Sequence, residues 1–156
     1  MVPESKIILD QTMFFATLSQ AQRDKIAGLG ELIELPFDEW LFQRNDPAGH
    51  FYILLEGKMA LTMASGNGVT DHLYTVHKGD VLGWSALVSP YIYTIGAKAL
   101  EPTRLVGFDG QEILKLANED HEIGFVIYRN LSEVIGERTI NALSERWNQL
   151  IQYILT

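Results

Sequence analysis

Three rhythms of hydrophobic and polar positions follow one another along the chain. The first is short and helical. Leu18-Ser19-Gln20-Ala21-Gln22 carries an S-x-x-Q pattern, in which Ser19 and Gln22 can satisfy the free donors of a helix start. The helix it opens runs through Ile26 and stops at Gly28 and Gly30. From Leu32 to Phe108 the second rhythm takes over, with short runs rich in Ile, Leu, Val, Tyr and Thr. They are broken at Pro36, Asp46-Pro47, Gly57, Gly66-Asn67-Gly68, Gly79, Gly83, Pro90 and Pro102. Short strands at regular spacing with this punctuation predict a barrel or a sandwich. Asn67-Gly68 is the strongest hairpin mark, since both residues tolerate the positive φ of a tight primed turn.

After Asp109 the rhythm is helical again. Gln111 to Ala117 reads as one short helix and Asp120 to Leu155 as one long helix. In its first half Ile127, Leu131, Val134 and Ile135 form a stripe suited to packing on the strands. In its second half Ile140, Leu143, Trp147, Leu150 and Ile154 recur at intervals of three and four, a seam of about two heptads. That seam predicts a homodimer through the C-terminal helix; folding back onto its own domain is the alternative. The expected organisation is a β unit with its flanking short helices over 1–118, followed by a long helix over 119–156.

Length and composition narrow the class. The 156 residues fit one domain with an appended helix, and 47% hydrophobic with 21% charged residues is ordinary globular composition. The absence of cysteine excludes thiolate zinc sites, iron–sulfur clusters and disulfides. No apolar run approaches a membrane span, and Met1-Val2-Pro3-Glu4-Ser5-Lys6 is no signal-peptide start, so a cytoplasmic protein with no membrane partner is expected. Twenty acidic residues against twelve basic ones give a net charge of −8, which disfavours nucleic-acid binding by this chain alone. An anionic small ligand remains compatible, because a buried site answers to local donors.

The segment Gly79-Asp80-Val81-Leu82-Gly83-Trp84-Ser85-Ala86-Leu87-Val88 places the bulkiest side chain directly after a glycine, at the mouth of a short helix. Together with His50-Phe51-Tyr52-Ile53-Leu54-Leu55-Glu56-Gly57-Lys58-Met59, a strand–turn–strand run, it gives the chain a recognisable order. The order resembles the cyclic nucleotide-binding domains of the Crp/Fnr branch, with Lys78 to Gly83 as the approach to the phosphate-binding cassette. Tyr93-Thr94-Ile95-Gly96-Ala97-Lys98-Ala99-Leu100-Glu101 is similar to the strand that follows the cassette. The likeness covers roughly Phe14 to Leu143. It implies a mainly β fold with flanking helices: a double-stranded β-helix (jelly roll) followed by a long C-terminal helix.

The resemblance also implies a ligand site, and the residues depart from it. In the family a glycine turn leads into a short helix whose backbone N–H groups face the cyclic phosphate. A glutamate holds the ribose hydroxyl and an arginine pairs with the phosphate. Here the glutamate position is Trp84, the arginine position is Tyr93, and the small residue two further on is Ile95. Hydrogen bonds to charged groups contribute roughly 1.5–3 kcal/mol each, so losing both costs on the order of 3–6 kcal/mol. Micromolar affinity then falls to about the sub-millimolar range or beyond. The expected ligand-binding residues are Gly83, Trp84, Ser85, Ala86, Tyr93 and Thr94. Trp84 either fills a shrunken pocket, stacking near Tyr91 or Tyr93, or walls a pocket for a different effector; weak cyclic nucleotide binding is the third reading.

Other residues add no chemistry. Asn45 replaces a glycine of an early turn and tolerates the left-handed conformation. Glu119-Asp120-His121-Glu122 reads as an acidic first helical turn, not a metal site. His50, His72 and His77 lack ligand spacing, and the sequon Asn130-Leu131-Ser132 lies in a helix. No nucleophile elbow, zinc-protease motif or complete P-loop is present, so no enzyme is expected, and no cofactor beyond a weakly bound cyclic nucleotide. The expectation is a non-catalytic regulatory sensor with a degenerate cassette. The alternatives are a ligand-free dimerisation module and the sensor half of a longer transcription regulator. Only nine residues follow Trp147, leaving no room in this chain for a helix-turn-helix domain.

Overall fold

A computed structural model describes residues 3–64, 68 and 70–155. Two helices open the chain, α1 (Glu4–Gln11) and α2 (Gln20–Ala27), with a 3-10 turn at Met13–Phe15 between them. The capping box is formed: the Ser19 side chain accepts from the Gln22 N–H, and the Gln22 side chain accepts from the Ser19 N–H. Eight strands follow: β1 (Gly30–Leu35), β2 (Trp40–Phe42), β3 (His50–Glu56), β4 (Met59–Ala64), β5 (Thr70–Val76), β6 (Val81–Leu82), β7 (Gly96–Ala99) and β8 (Thr103–Asp109). They form two four-stranded antiparallel sheets, ordered β1-β8-β3-β6 and β2-β7-β4-β5. This is the jelly roll that the resemblance implies, and it meets the barrel or sandwich that the strand spacing predicts.

The two central strands of the first sheet, β3 and β8, are buried on both faces, which explains their unbroken apolar runs. Side chains alternate along a strand. Phe51, Ile53 and Leu55 of β3 therefore face one core cluster, shared with the helices, while Tyr52 and Leu54 face a second cluster between the sheets. β8 divides in the same way, with Val106 and Phe108 toward the helices and Leu105 inside. β4 and β5 pair antiparallel as far as Ala64 and Thr70, as a hairpin requires. Asn67 of the expected turn lies outside the described residues; Gly68 has φ 79°. Asn45 takes the left-handed conformation at φ 73°.

Two helices close the chain, α3 (Gly110–Glu119) and α4 (His121–Leu155). Asp109 caps α3 by accepting from the N–H groups of Gln111 and Glu112. Asp120 does the same for α4, through Glu122 and Ile123. Those bonds and the Gln22 side chain hold the Asp120 carboxyl below its ordinary range, Gln22 being the largest influence. The acidic stretch is thus a helix start. No group of His, Asp and Glu able to hold a metal ion occurs among the described residues.

The two halves of α4 meet different surroundings. Ile127 and Leu131 are buried in the helix-side core, with Val134 and Ile135 packed against it. Further along, Asn141, Ser144, Glu145 and Asn148 border a groove against His72 to Thr75 of β5. The polar face of the distal helix is therefore the one beside its own roll. Ile140, Leu143, Trp147, Leu150 and Ile154 stay exposed, Leu143 at 65% and Trp147 at 63%. No helix of the described residues is long and apolar enough to cross a membrane.

Candidate functional site

Gly83 answers why a tryptophan follows a glycine. It takes φ 75° and opens the 3-10 helix Trp84–Leu87. A Cβ there would stand 2.7 Å from the His50 carbonyl oxygen and 2.9 Å from the Tyr52 ring. The chain passes β3 this closely only without a side chain, and a left-handed turn is easy for glycine. The turn sends the next side chain across the roll, where half-buried Trp84 packs against the helix-side core. The bulky residue follows the glycine because the glycine brings the chain to the gap it fills.

Tyr93 holds the opposite wall. Its hydroxyl donates to the His50 carbonyl at 2.7 Å and accepts from the His50 N–H at 3.2 Å. Its ring stacks on Phe42, centroids 3.8 Å apart and planes 10° from parallel. Its own N–H donates to the Asp46 carbonyl, and its carbonyl accepts from the Asn45 N–H. Burial pushes the Tyr93 hydroxyl, and that of neighbouring Tyr52, above the ordinary tyrosine range. Tyr93 is thus a fixed, neutral strut. The partner of its ring is Phe42, not Trp84, which corrects the expected stacking; Trp84 lies toward the helices because Gly83 turns it there.

Five of the six expected residues converge. Gly83, Trp84, Ser85, Tyr93 and Thr94 border one small cavity. Ala86 does not, since it packs at the start of α3, where a Cβ on Gly110 would meet its carbonyl oxygen at 2.6 Å. Phe42, Leu61 and Ile95 complete the apolar wall. The volume decides what fits. About 20 Å³ remains, room for a water or two, whereas small-ligand pockets run to roughly 300–1,000 Å³.

The sequence reading missed three wall residues, the apolar Phe42 and Leu61 and the charged Arg138 of α4. Its Nη2 donates to the Val81 carbonyl at 2.5 Å, and its guanidinium lies 4.8 Å from the centre of the Tyr74 ring. Desolvation lowers its pKa, with Tyr74 and Asp80 acting in the other direction. The signal was in the periodicity: Arg138 continues the packed series Ile127, Leu131 and Val134 by one more helical step. A charged residue at a packing position is informative.

A second cavity, of about 510 Å³, runs along the outside of the cassette. Thr12 and Phe14 border it on one side, Lys78 and Asp80 on another, and α4 on the third. Its walls are cross-tied: the Thr12 hydroxyl donates to the Gly79 carbonyl at 2.8 Å, and the Asn130 amide donates to the Phe14 carbonyl at 2.5 Å. Asn130, the residue of the sequon, is engaged within the fold.

A jelly roll carrying a glycine-led helical cassette, with a long helix laid across it, defines the class of small-ligand regulatory domains. The cyclic nucleotide-binding domain model matches residues 32–120, more than half the chain, and the protein belongs to that family. A cAMP-dependent protein kinase regulatory subunit from Emericella nidulans is 28% identical over 104 residues, covering 65% of this chain and 24% of the relative. The chain thus spans about a quarter of that relative's length. A solved structure described as a cyclic nucleotide-binding protein, from Geobacter metallireducens, is 27% identical with a TM-score of 0.76, covering 89% of this chain and 99% of its own. The sensor domain of a transcriptional regulator from Pseudomonas aeruginosa shares the fold, with a TM-score of 0.72 at 19% identity over 86% of this chain and 90% of that one.

Proposed function

We propose that this chain is a non-catalytic, cytoplasmic sensor module of the Crp/Fnr type whose cassette has closed to its usual ligand. One observation carries the reading: Trp84 and Tyr93, which the resemblance puts at the two anchoring positions, border a cavity of only about 20 Å³. Tyr93 donates to and accepts from backbone that an arginine side chain could not serve in both roles. The ligand site of this reading comprises Gly83, Trp84, Ser85, Tyr93 and Thr94, with Ala86 as packing support. The sensing unit of this reading runs through α3, whose last residue Glu119 lies one beyond the expected boundary, and α4 (His121–Leu155) is the output helix.

The output is a homodimer through α4. Its distal apolar seam faces away from the roll while its polar face borders β5, which favours a second copy over folding back. Gly136 supports the same reading. It lies inside the helix, where glycine costs about 1 kcal/mol relative to alanine, yet a Cβ there would meet nothing within 4 Å in its own chain.

Thermal unfolding tests the closed cassette. A ligand at a hundred times its Kd stabilises a protein by about 2.7 kcal/mol, several degrees of Tm for a domain of this size. Cyclic AMP or cyclic GMP at hundreds of micromolar should move the Tm by less than about one degree. A shift of several degrees with either would show an open, family-like site.

A further inference from the structure

The small cavity and the large groove share one lining residue, Arg138. Its guanidinium reaches from α4 to the Val81 carbonyl, at the edge of the cassette, and lies over Tyr74. Behind it is the cavity of about 20 Å³; in front of it is the groove of about 510 Å³. It is also the one charged residue on the cavity wall.

Its charge has no carboxylate in contact. The guanidinium meets the Val81 carbonyl and the ring and hydroxyl of Tyr74, and among the described residues no carboxylate forms an ion pair with it. Asp80 and Glu137 act on it only at longer range. A guanidinium has five donors in a planar fork suited to a phosphate or carboxylate, so the Val81 carbonyl and Tyr74 leave part of that capacity unspent. Burying a cation in this way costs free energy unless a counter-charge arrives.

We propose that Arg138 is both the gate of the cassette and its anion-reading group. When the site is empty the guanidinium rests on Val81 and separates the two spaces. When a small phosphate- or carboxylate-bearing molecule enters the groove, the side chain leaves Val81 and pairs with the acid. The two spaces then join into one site of several hundred Å³, the size of a small-ligand pocket. The charge of the ligand is thereby read from α4, the output helix, and not from the roll. Pairing draws on the same residue that fastens α4 to β6, so occupancy and helix position are linked. This inference rests on the closed-cassette reading above.

The test uses the full chain and a fixed panel: cyclic AMP, adenosine 5′-monophosphate, inorganic phosphate and citrate, with uncharged adenosine as the control. Binding is followed at the Trp84 indole N–H by NMR, assigned with Trp84→Phe, up to millimolar ligand. At least one anion should shift that signal saturably while adenosine does not. Arg138→Gln should weaken that binding on the order of ten- to a hundred-fold. Arg138→Ala, in a Trp40→Phe, Trp147→Phe background, should raise acrylamide quenching of Trp84 about twofold, because the gate is gone. Anion binding that Arg138→Gln leaves unchanged, or a Trp84 signal that no panel anion moves, overturns the proposal. Unchanged quenching in the alanine variant removes the gate. Low-micromolar cyclic AMP binding in both wild type and Arg138→Gln would instead defeat the closed-cassette reading.

Discussion

On the proposed closed-cassette reading, Trp84 and Tyr93 carry the difference between this cassette and an open one. Tyr93 exchanges two hydrogen bonds with the His50 backbone and stacks on Phe42, so it is tied to β3 and to the β2 end at once. Tyr93→Phe keeps the stack and strands the His50 groups. Unpairing fully buried polar groups costs about 1–3 kcal/mol; these are half-buried, so the urea midpoint should fall by the equivalent of about 1 kcal/mol with the dichroism spectrum unchanged. The same residue sets an alkaline limit. Burial raises Tyr52 and Tyr93 above the ordinary tyrosine value of 10.0. Above about pH 10 the unfolded chain releases protons that the folded chain keeps, so this stability is present below pH 10 and is lost as pH rises beyond it. Unfolding free energy measured from pH 8 to 11 should decline in wild type and decline less steeply in Tyr93→Phe. An equal slope in both would show that Tyr93 does not titrate as its burial requires.

At the scale of elements, α4 is the part whose role is divided. Its first half is packed, its second half presents an apolar seam to solvent, and Arg138 lies where the two meet. Five large side chains spanning about 21 Å at 1.5 Å per residue contribute roughly 1.5–3 kcal/mol each on full burial. Summed over two copies, that exceeds the roughly 4–15 kcal/mol lost on association. Leu143→Glu with Leu150→Glu should give a folded monomer, because neither residue touches the core clusters. Sedimentation equilibrium at tens of micromolar should return a dimer for wild type and a monomer for the double variant. A monomeric wild type, or a variant that stays dimeric, removes the seam as the interface.

For the whole molecule, most of the architecture was legible in the sequence because its signals are local. The capping box at Ser19, the change of period after Asp109 and the Gly/Pro punctuation each act within a few residues. The sheet order was not legible from spacing: β1 pairs with β8, Gly30 opposite Phe108 and Leu35 opposite Thr103, and the resemblance implied only the roll. The cassette was legible as a segment but not as a volume. Ala86 turns out to serve the α3 junction, and Trp84 faces the helices instead of Tyr93, since the left-handed Gly83 sets its direction. Arg138 escaped notice because it is more than fifty residues from the cassette, and only tertiary packing brings it to Val81. What these parts build together is a family fold whose usual ligand space, we propose, is occupied by its own side chains. Calorimetric titration of the intact protein with cyclic AMP and cyclic GMP measures that most directly. The closed cassette predicts no saturation with either nucleotide in the low-micromolar range; a clean micromolar isotherm for one of them would contradict it.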